Sequence, residues 1–175
     1  PEVSKVRLRE LYPTRKETRR SVAPILRGSI LGFFIGLLPG PCTVISTFVA
    51  YSLEKKISRN PDEFGKGAVE GVVAPEAANN SAVMGAMIPL LTLGIPFAAP
   101  SAVMLAGLRM HNIELGPMLF STRPDIFWTF IAAMYVGNLM LLVLNLPLIG
   151  LWIQLLKMPY RFLYLCILLF CAIGV

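Results

Sequence analysis

Two long stretches of this chain carry almost no charge, and both are interrupted by helix-breaking residues. They cover residues 25–53 and 81–108, and their interruptions are Leu38-Pro39-Gly40-Pro41 in the first and Pro89, Gly94, Pro96 and Pro100 in the second. A soluble domain carries charge on about a quarter of its residues, whereas here the charged fraction is 15% and the mean hydropathy is +0.68. The sequence therefore predicts an all-α integral membrane protein that combines broken or re-entrant helical hairpins with transmembrane helices.

The basic residues are concentrated in short segments beside the apolar stretches. Eight of the sixteen Lys and Arg residues lie between Lys5 and Arg27, and four more lie between Lys55 and Lys66. Basic loops that flank membrane segments mark the cytoplasmic side of the bilayer. Nucleic-acid binding would need a basic face on a folded soluble domain, and the sequence indicates none. We therefore predict a membrane-bound protein without a nucleic-acid partner.

The positions of the basic loops favour a re-entrant hairpin at residues 25–53. A single crossing would put the basic segments 1–24 and 54–69 on opposite sides of the membrane, against the positive-inside tendency. A hairpin that turns at Pro39-Gly40-Pro41 returns both segments to one side. Each arm of roughly a dozen residues is also shorter than the about 20 residues that a crossing needs.

These patterns divide the chain into a cytoplasmic basic segment, residues 1–24, and a membrane domain, residues 25–175. The expected parts of the membrane domain are the hairpin 25–53, a polar helix start and broken helix at 70–108, a transmembrane helix at 126–151 and a truncated transmembrane helix at 162–175. Trp128 and Trp152 lie near the ends of the third part, as interfacial aromatic residues do. For residues 81–108, a hairpin and a broken crossing remain open.

Each broken segment carries a polar triplet at the helical spacing i, i+3, i+4. The triplets are Thr43, Ser46 and Thr47 in one region and Glu76, Asn79 and Asn80 in the other. Pro75 suits the first position of a helix, which would put the second triplet at a helix start. Hydroxyls, amides and free N–H groups suit a carboxylate ligand, whereas a glutamate suits a cation or a proton. The structural alternative is that Ser and Thr in apolar helices bond only the i−4 carbonyl.

Other motifs give a packing prediction and argue against an enzyme. Gly32 and Gly36 form a GxxxG pattern, which lets another helix approach closely. The sequence contains no HExxH, no GxSxG and no paired intramembrane aspartates, so nucleophilic or metal catalysis lacks its usual residues. His111 has no partner at a metal-ligand spacing, and none of the three cysteines forms a CxxC, so Cys42, Cys166 and Cys171 are interpreted as reduced packing residues. We predict neither an enzyme nor a bound cofactor.

Several motifs resemble the large membrane subunit of tripartite tricarboxylate transporters. They are Gly67–Asn80, Ile88–Pro96, Gly36–Gly40, Phe64–Gly67 and Gly116–Phe120. The resemblance runs in order from about residue 20 to residue 120. It implies a multi-pass secondary transporter of the bacterial inner membrane that takes up citrate-like carboxylates, driven by Na⁺ or H⁺. Its implied partners are a small membrane subunit and a periplasmic binding protein.

The resemblance also implies a two-halved fold, with this chain similar to the second half of an inverted repeat. Within it, the predicted substrate-binding residues are Pro39, Gly40, Thr43, Ser46, Asn79, Asn80, Gly94 and Pro96. The predicted coupling residues, with Na⁺ near the first of them, are Glu76 and Thr92.

Three positions depart from the family pattern. Phe97 follows Gly-Ile-Pro where a glycine is usual, Pro41-Cys42 replaces small residues, and residues 111–115 lack the customary glycine and proline. The alternative interpretation is therefore a degenerate or truncated membrane fragment with a role in assembly and no transport of its own.

Overall fold

The computed structural model describes residues 12–156 and 159–174, and these residues form helices and connections without any strand. The α-helices of these ranges are α1 (Arg15–Gly36), α2 (Cys42–Ile57), α3 (Glu70–Leu93), α4 (Ala99–Met110), α5 (Leu119–Thr122), α6 (Pro124–Leu156) and α7 (Tyr160–Ile173). A 3-10 helix, Pro61–Glu63, lies between α2 and α3. The predicted all-α class is confirmed for these ranges. The inverted repeat stays a prediction. The predictions that were made for residues 1–11 and for Lys157 lie outside the described residues.

The contacts divide the chain into two compact units, which are described separately. One is Pro13–Phe127, and the other contains the described residues from Trp128 onward. Within α6, Pro124–Gly150 is the segment of the described chain that is long and apolar enough to cross a bilayer. It contains nearly all of residues 126–151, where a transmembrane helix was expected.

The first two helices form a hairpin. A capping box begins α1, because Thr14 and Glu17 bond each other's backbone N–H groups. Residues 37–41 connect α1 to α2, and Gly40 has φ +132°, a value that favours glycine. Near the other end of the hairpin, Arg27 Nε donates to Glu54 Oε1 over 2.6 Å. This ion pair joins α1 to α2 at the open end of the hairpin, which we call the hairpin base. Its carboxylate, Glu54, is buried.

Helix α3 runs parallel to α1 in direct backbone contact. Gly28, Gly32 and Gly36 lie in order against Ala74, Ala78 and Ala82, all three of which are fully buried. A Cβ atom built on Gly32 would be 2.7 Å from the Cα of Ala78, so only glycine fits there. The close approach predicted from Gly32 and Gly36 is confirmed, with α3 as the partner helix.

Helix α3 corrects two expectations about proline. It begins at Glu70, so the prediction that Pro75 occupies the first helical position is wrong. Pro89 also lies inside the helix, which ends at Gly94 with φ +65°. Each proline removes a single i→i−4 hydrogen bond, and such losses are tolerated in membrane helices where neighbouring groups compensate. The chain break in residues 81–108 therefore falls between α3 and α4.

Candidate functional site

A shallow pocket of about 320 Å³ lies between α2 and α3. Thr43 and Thr47 line it from α2, and Val44 and Phe48 supply apolar walls from the same helix. Asn79 lines it from α3. We call this cavity the hydroxyl–amide pocket. The structure thus brings Thr43 and Asn79, two of the predicted substrate-binding residues, to one place.

Ser46 fixes the two walls of this pocket relative to each other. It is fully buried, and its hydroxyl donates to the Thr43 carbonyl over 2.9 Å and to the Ala78 carbonyl over 3.4 Å. The second contact joins α2 to α3 one residue before Asn79. Both hydrogen bonds go to the backbone, so Ser46 positions the pocket and does not line it.

The polar groups of the pocket differ in whether they already have partners. The Thr47 hydroxyl donates to the Thr43 carbonyl over 2.7 Å. Within the part of the chain that the structure describes, the Thr43 hydroxyl and the Asn79 amide make no side-chain hydrogen bond. No side chain caps the start of α2, and its first turn has no acidic residue. Helix N-termini carry free N–H groups and partial positive charge, so the pocket can accept an anionic oxygen.

The other two members of the second triplet lie on α3 outside this pocket. Glu76 and Asn80 are exposed, and the Asn80 amide donates to the Glu76 carbonyl over 3.0 Å. The Glu76 carboxylate forms no ion pair among the described residues. All three members lie in the second and third turns of α3 and not at its start, because the helix begins six residues before Glu76.

The remaining predicted site residues lie elsewhere. Pro39 and Gly40 belong to the connection between α1 and α2, and the Thr92 hydroxyl donates to the Ile88 carbonyl over 2.7 Å. Gly94 lines a separate cavity of about 440 Å³ with Arg109 and residues 112–115. Pro96 and Phe97 follow Gly94 and line neither of these two cavities. The predicted site residues are therefore divided between two places. Some lie at the contact of α2 and α3, and others lie in the segment after α3.

Sequence reasoning missed the apolar walls of the pocket. Val44 and Phe48 are four residues apart on α2, each one position after a threonine of the pocket. The helical spacing was visible, but a valine and a phenylalanine in an apolar helix carry no signal of their own. Their role follows only from the position of α3.

The whole described chain can be compared with known proteins. The family model for the tripartite tricarboxylate transporter TctA family matches residues 1–175. The chain belongs to this family. The resemblance noted in the sequence is thereby confirmed. TctA is a transporter family, and membership identifies the chain as part of a membrane protein.

Two curated relatives of the TctA family chain come from Agrobacterium vitis. An uncharacterized 52.8 kDa protein in the TAR-I ttuC' 3' region is 46% identical over 173 residues, which cover 99% of this chain and 34% of the relative. An uncharacterized protein in the TAR-II ttuC' 3' region is 48% identical over 143 residues, which cover 82% of this chain and 59% of the relative. The chain thus spans about a third and somewhat over half of the lengths of these relatives. No solved structure matches it.

Proposed function

We propose that the chain is part of the membrane permease subunit of a cation-coupled, binding-protein-dependent uptake system for citrate-like carboxylates. Family membership supports the transporter class. The observation that carries the proposal is the hydroxyl–amide pocket, where Thr43 and Asn79 meet beside the uncapped start of α2. In this proposal a small membrane subunit and a periplasmic binding protein complete the system in the bacterial inner membrane.

The depth of the pocket supports a transport site. The hairpin has no charged residue between Arg27 and Glu54, which are paired at its base. Thr47 and Thr43 precede Glu54 by seven and eleven residues, which correspond to about 10 and 16 Å along a helix. The hydrocarbon core is about 30 Å thick, so a base at the membrane surface puts the pocket near the midplane. Transporter sites commonly lie at that depth, beside the ends of broken helices.

The same distances favour a re-entrant hairpin. The charge-free part of α2, from Cys42 to Leu53, is about 18 Å long, which is well short of the bilayer core. The base of the hairpin is joined by the Arg27–Glu54 pair, so both ends of the charge-free segment lie on one side. In our proposal the hairpin enters and leaves from the cytoplasmic side.

The proposed chemistry is hydrogen bonding of one substrate carboxylate. The Thr43 hydroxyl and the Asn79 amide donate to its oxygens, and the first N–H groups of α2 add partial positive charge. Replacing Asn79 or Thr43 by alanine should weaken carboxylate binding by roughly tenfold or more, since a hydrogen bond to a charged group contributes about 1.5–3 kcal/mol. The measurement is binding and uptake of radiolabelled citrate by the complete transporter in proteoliposomes.

Matched controls exist in the other compact unit and in α5. Asn138 bonds the Met134 carbonyl and Thr122 bonds the Met118 carbonyl, each within its own helix. Asn138→Ala and Thr122→Ala should leave citrate binding within about twofold of the wild type. Equal binding by Asn79→Ala and the wild type would exclude the hydroxyl–amide pocket as the carboxylate site.

Cation coupling is assigned to Glu76, with Thr92 as a second candidate. Glu76 is one helical turn before Asn79 and has no cationic partner among the described residues. Glu76→Gln should therefore reduce the stimulation of citrate uptake by a Na⁺ or H⁺ gradient at least about tenfold, because the amide removes the charge that attracts the cation. Glu114→Gln, an exposed carboxylate at the other cavity, is the control. Unchanged gradient dependence in Glu76→Gln would move the coupling site elsewhere.

A further inference from the structure

A third and more basic cavity lies at the hairpin base, where α1, α2 and the start of α3 meet. Its volume is about 570 Å³. Its charged lining residues are four arginines and two glutamates: Arg19, Arg20, Arg27, Arg59, Glu54 and Glu70. We call this cavity the arginine pocket. Nothing in the proposed transport mechanism uses it.

Ion pairs already occupy half of these arginines. Arg27 bonds both carboxylate oxygens of the buried Glu54, over 2.6 and 2.9 Å. Arg20 bonds both oxygens of Glu70, over 2.7 and 3.0 Å, and also reaches Glu63 in the 3-10 helix. The two lining glutamates are therefore neutralised by fixed partners and do not repel an incoming anion strongly.

The other two arginines are uncommitted. Arg19 on α1 and Arg59, two residues after the end of α2, line the arginine pocket and form no ion pair among the described residues. Both are exposed, so their guanidinium groups are accessible from solvent. Two free guanidinium groups in one cavity fit the planar, bidentate recognition of phosphate oxygens. Ser58 and Asn60, which line the same cavity, supply further hydrogen-bonding groups.

The lining also includes apolar side chains. Ala23, Pro24 and Ile57 face the cavity from α1 and α2, at the junction between the basic segment and the charge-free hairpin. A ligand with a phosphate group and a short apolar part would contact both kinds of surface. Basic pockets between membrane helices at the cytoplasmic surface bind phosphorylated lipid headgroups in this way.

We propose that the arginine pocket is a binding site for a phosphate group, held between Arg19 and Arg59. The phosphate group belongs either to the headgroup of an anionic phospholipid or to a free phosphate ion. Both ligands present the same oxygens to the two guanidinium groups. The apolar lining favours the lipid. This site is independent of the hydroxyl–amide pocket, so carboxylate transport and phosphate binding can succeed or fail separately.

The test measures binding to the full chain in detergent, where no extended anionic surface contributes. The probes are dioctanoyl phosphatidylglycerol, dioctanoylglycerol as the phosphate-free control, and inorganic phosphate. Native mass spectrometry reports lipid binding, and thermal unfolding at increasing phosphate reports the free ion. We expect binding of the phosphatidylglycerol and not of dioctanoylglycerol. Each arginine contributes roughly tenfold, so R19Q/R59Q should weaken binding about a hundredfold.

The matched control is K55Q/K56Q, which removes the same charge from exposed residues of α2 that do not line the pocket. It should bind the probes as the wild type does. R59K keeps the charge but loses the two-pronged geometry, so it should bind with intermediate affinity and shows that folding is intact. If only inorganic phosphate binds in an Arg19- and Arg59-dependent manner, the site holds and its ligand is the free ion. Equal losses in both double variants, or equal binding of dioctanoylglycerol, would overturn the proposal.

Discussion

Gly32→Leu is expected to destabilise the Pro13–Phe127 unit more than any other single change at the α1–α3 contact. A Cβ at this position already meets the backbone of Ala78, 2.7 Å from its Cα, and backbone atoms have no rotamer to change. A leucine would therefore push the helices apart and also separate Gly28 from Ala74 and Gly36 from Ala82. Overpacking of a core costs about 1–3 kcal/mol. We expect the upper end, about 3 kcal/mol, because three contacts are lost together.

The measurement is the midpoint of unfolding in a detergent–denaturant titration, followed by circular dichroism. Gly107→Leu is the control, because Gly107 lies in α4 with no atom within 4 Å of a Cβ built there. A surface substitution of this kind changes stability by about 0.5 kcal/mol or less, and replacing a helical glycine can even stabilise. Coincident midpoints for the two variants would contradict the interlocked α1–α3 packing.

Arg27→Gln should also destabilise this unit, by about 2 kcal/mol, which is less than the cost for a fully buried pair because the Arg27 side chain is 43% exposed and solvent screens part of the interaction. Glu54 is only 2% exposed, and Arg27 is its sole charged partner among the described residues. Removing one member of a buried ion pair leaves an uncompensated buried charge, and such changes cost about 3–5 kcal/mol. The expected result is an early loss of the hairpin base, measured as a lowered unfolding midpoint and faster proteolysis after Lys55 or Lys56.

Two further variants separate burial from simple charge loss. R27Q/E54Q should be more stable than Arg27→Gln alone, because the two neutral amides can bond each other and no buried charge remains. Arg123→Gln breaks a pair with Asp125 whose side chains are 55% and 64% exposed, so its unfolding midpoint should stay close to that of the wild type. The buried-pair interpretation fails if Arg27→Gln is no more harmful than Arg123→Gln.

The helix contact was only half predictable from the sequence. The GxxxG pattern at Gly32 indicated a close approach, and the four-residue spacing of Ala74, Ala78 and Ala82 was equally visible. Nothing in either pattern says that the two helices meet, since small residues are common in membrane helices for several reasons. The Arg27–Glu54 pair was missed for the same reason. The two residues flank one apolar stretch, and the sequence does not show that its two ends meet.

The error at Pro75 has a local cause. A proline can begin a helix, and the sequence before it, Val72-Val73-Ala74, contains two β-branched residues of modest helix propensity. Contacts within the folded unit outweigh that preference. Gly71 packs against the rings of Phe64 and Tyr51, and Arg20 binds Glu70 at the first helical residue. These long-range contacts extend α3 backwards past the proline.

The candidate site was predicted as a set of residue types and not as a place. Thr43 and Asn79 were singled out because hydroxyl and amide groups are rare in such apolar surroundings, and the structure brings them to one pocket. Spacing along one helix cannot distinguish Asn79 from Asn80, which lies on the exposed side. That distinction depends on the rotation of α3 about its axis, which the glycine–alanine contacts determine.

The regular spacing of the glycine–alanine contacts limits how far α1 and α3 can slide along each other. The three glycines recur every four residues along α1, and each leaves a gap that is filled by the backbone of one of the three buried alanines of α3. At 1.5 Å per residue, the four-residue spacing puts the next register that again opposes glycine to alanine about 6 Å away. A smaller slip would drive backbone into side chains. Helices α1 and α3 therefore form one rigid pair, in which gradual sliding of one helix along the other is blocked.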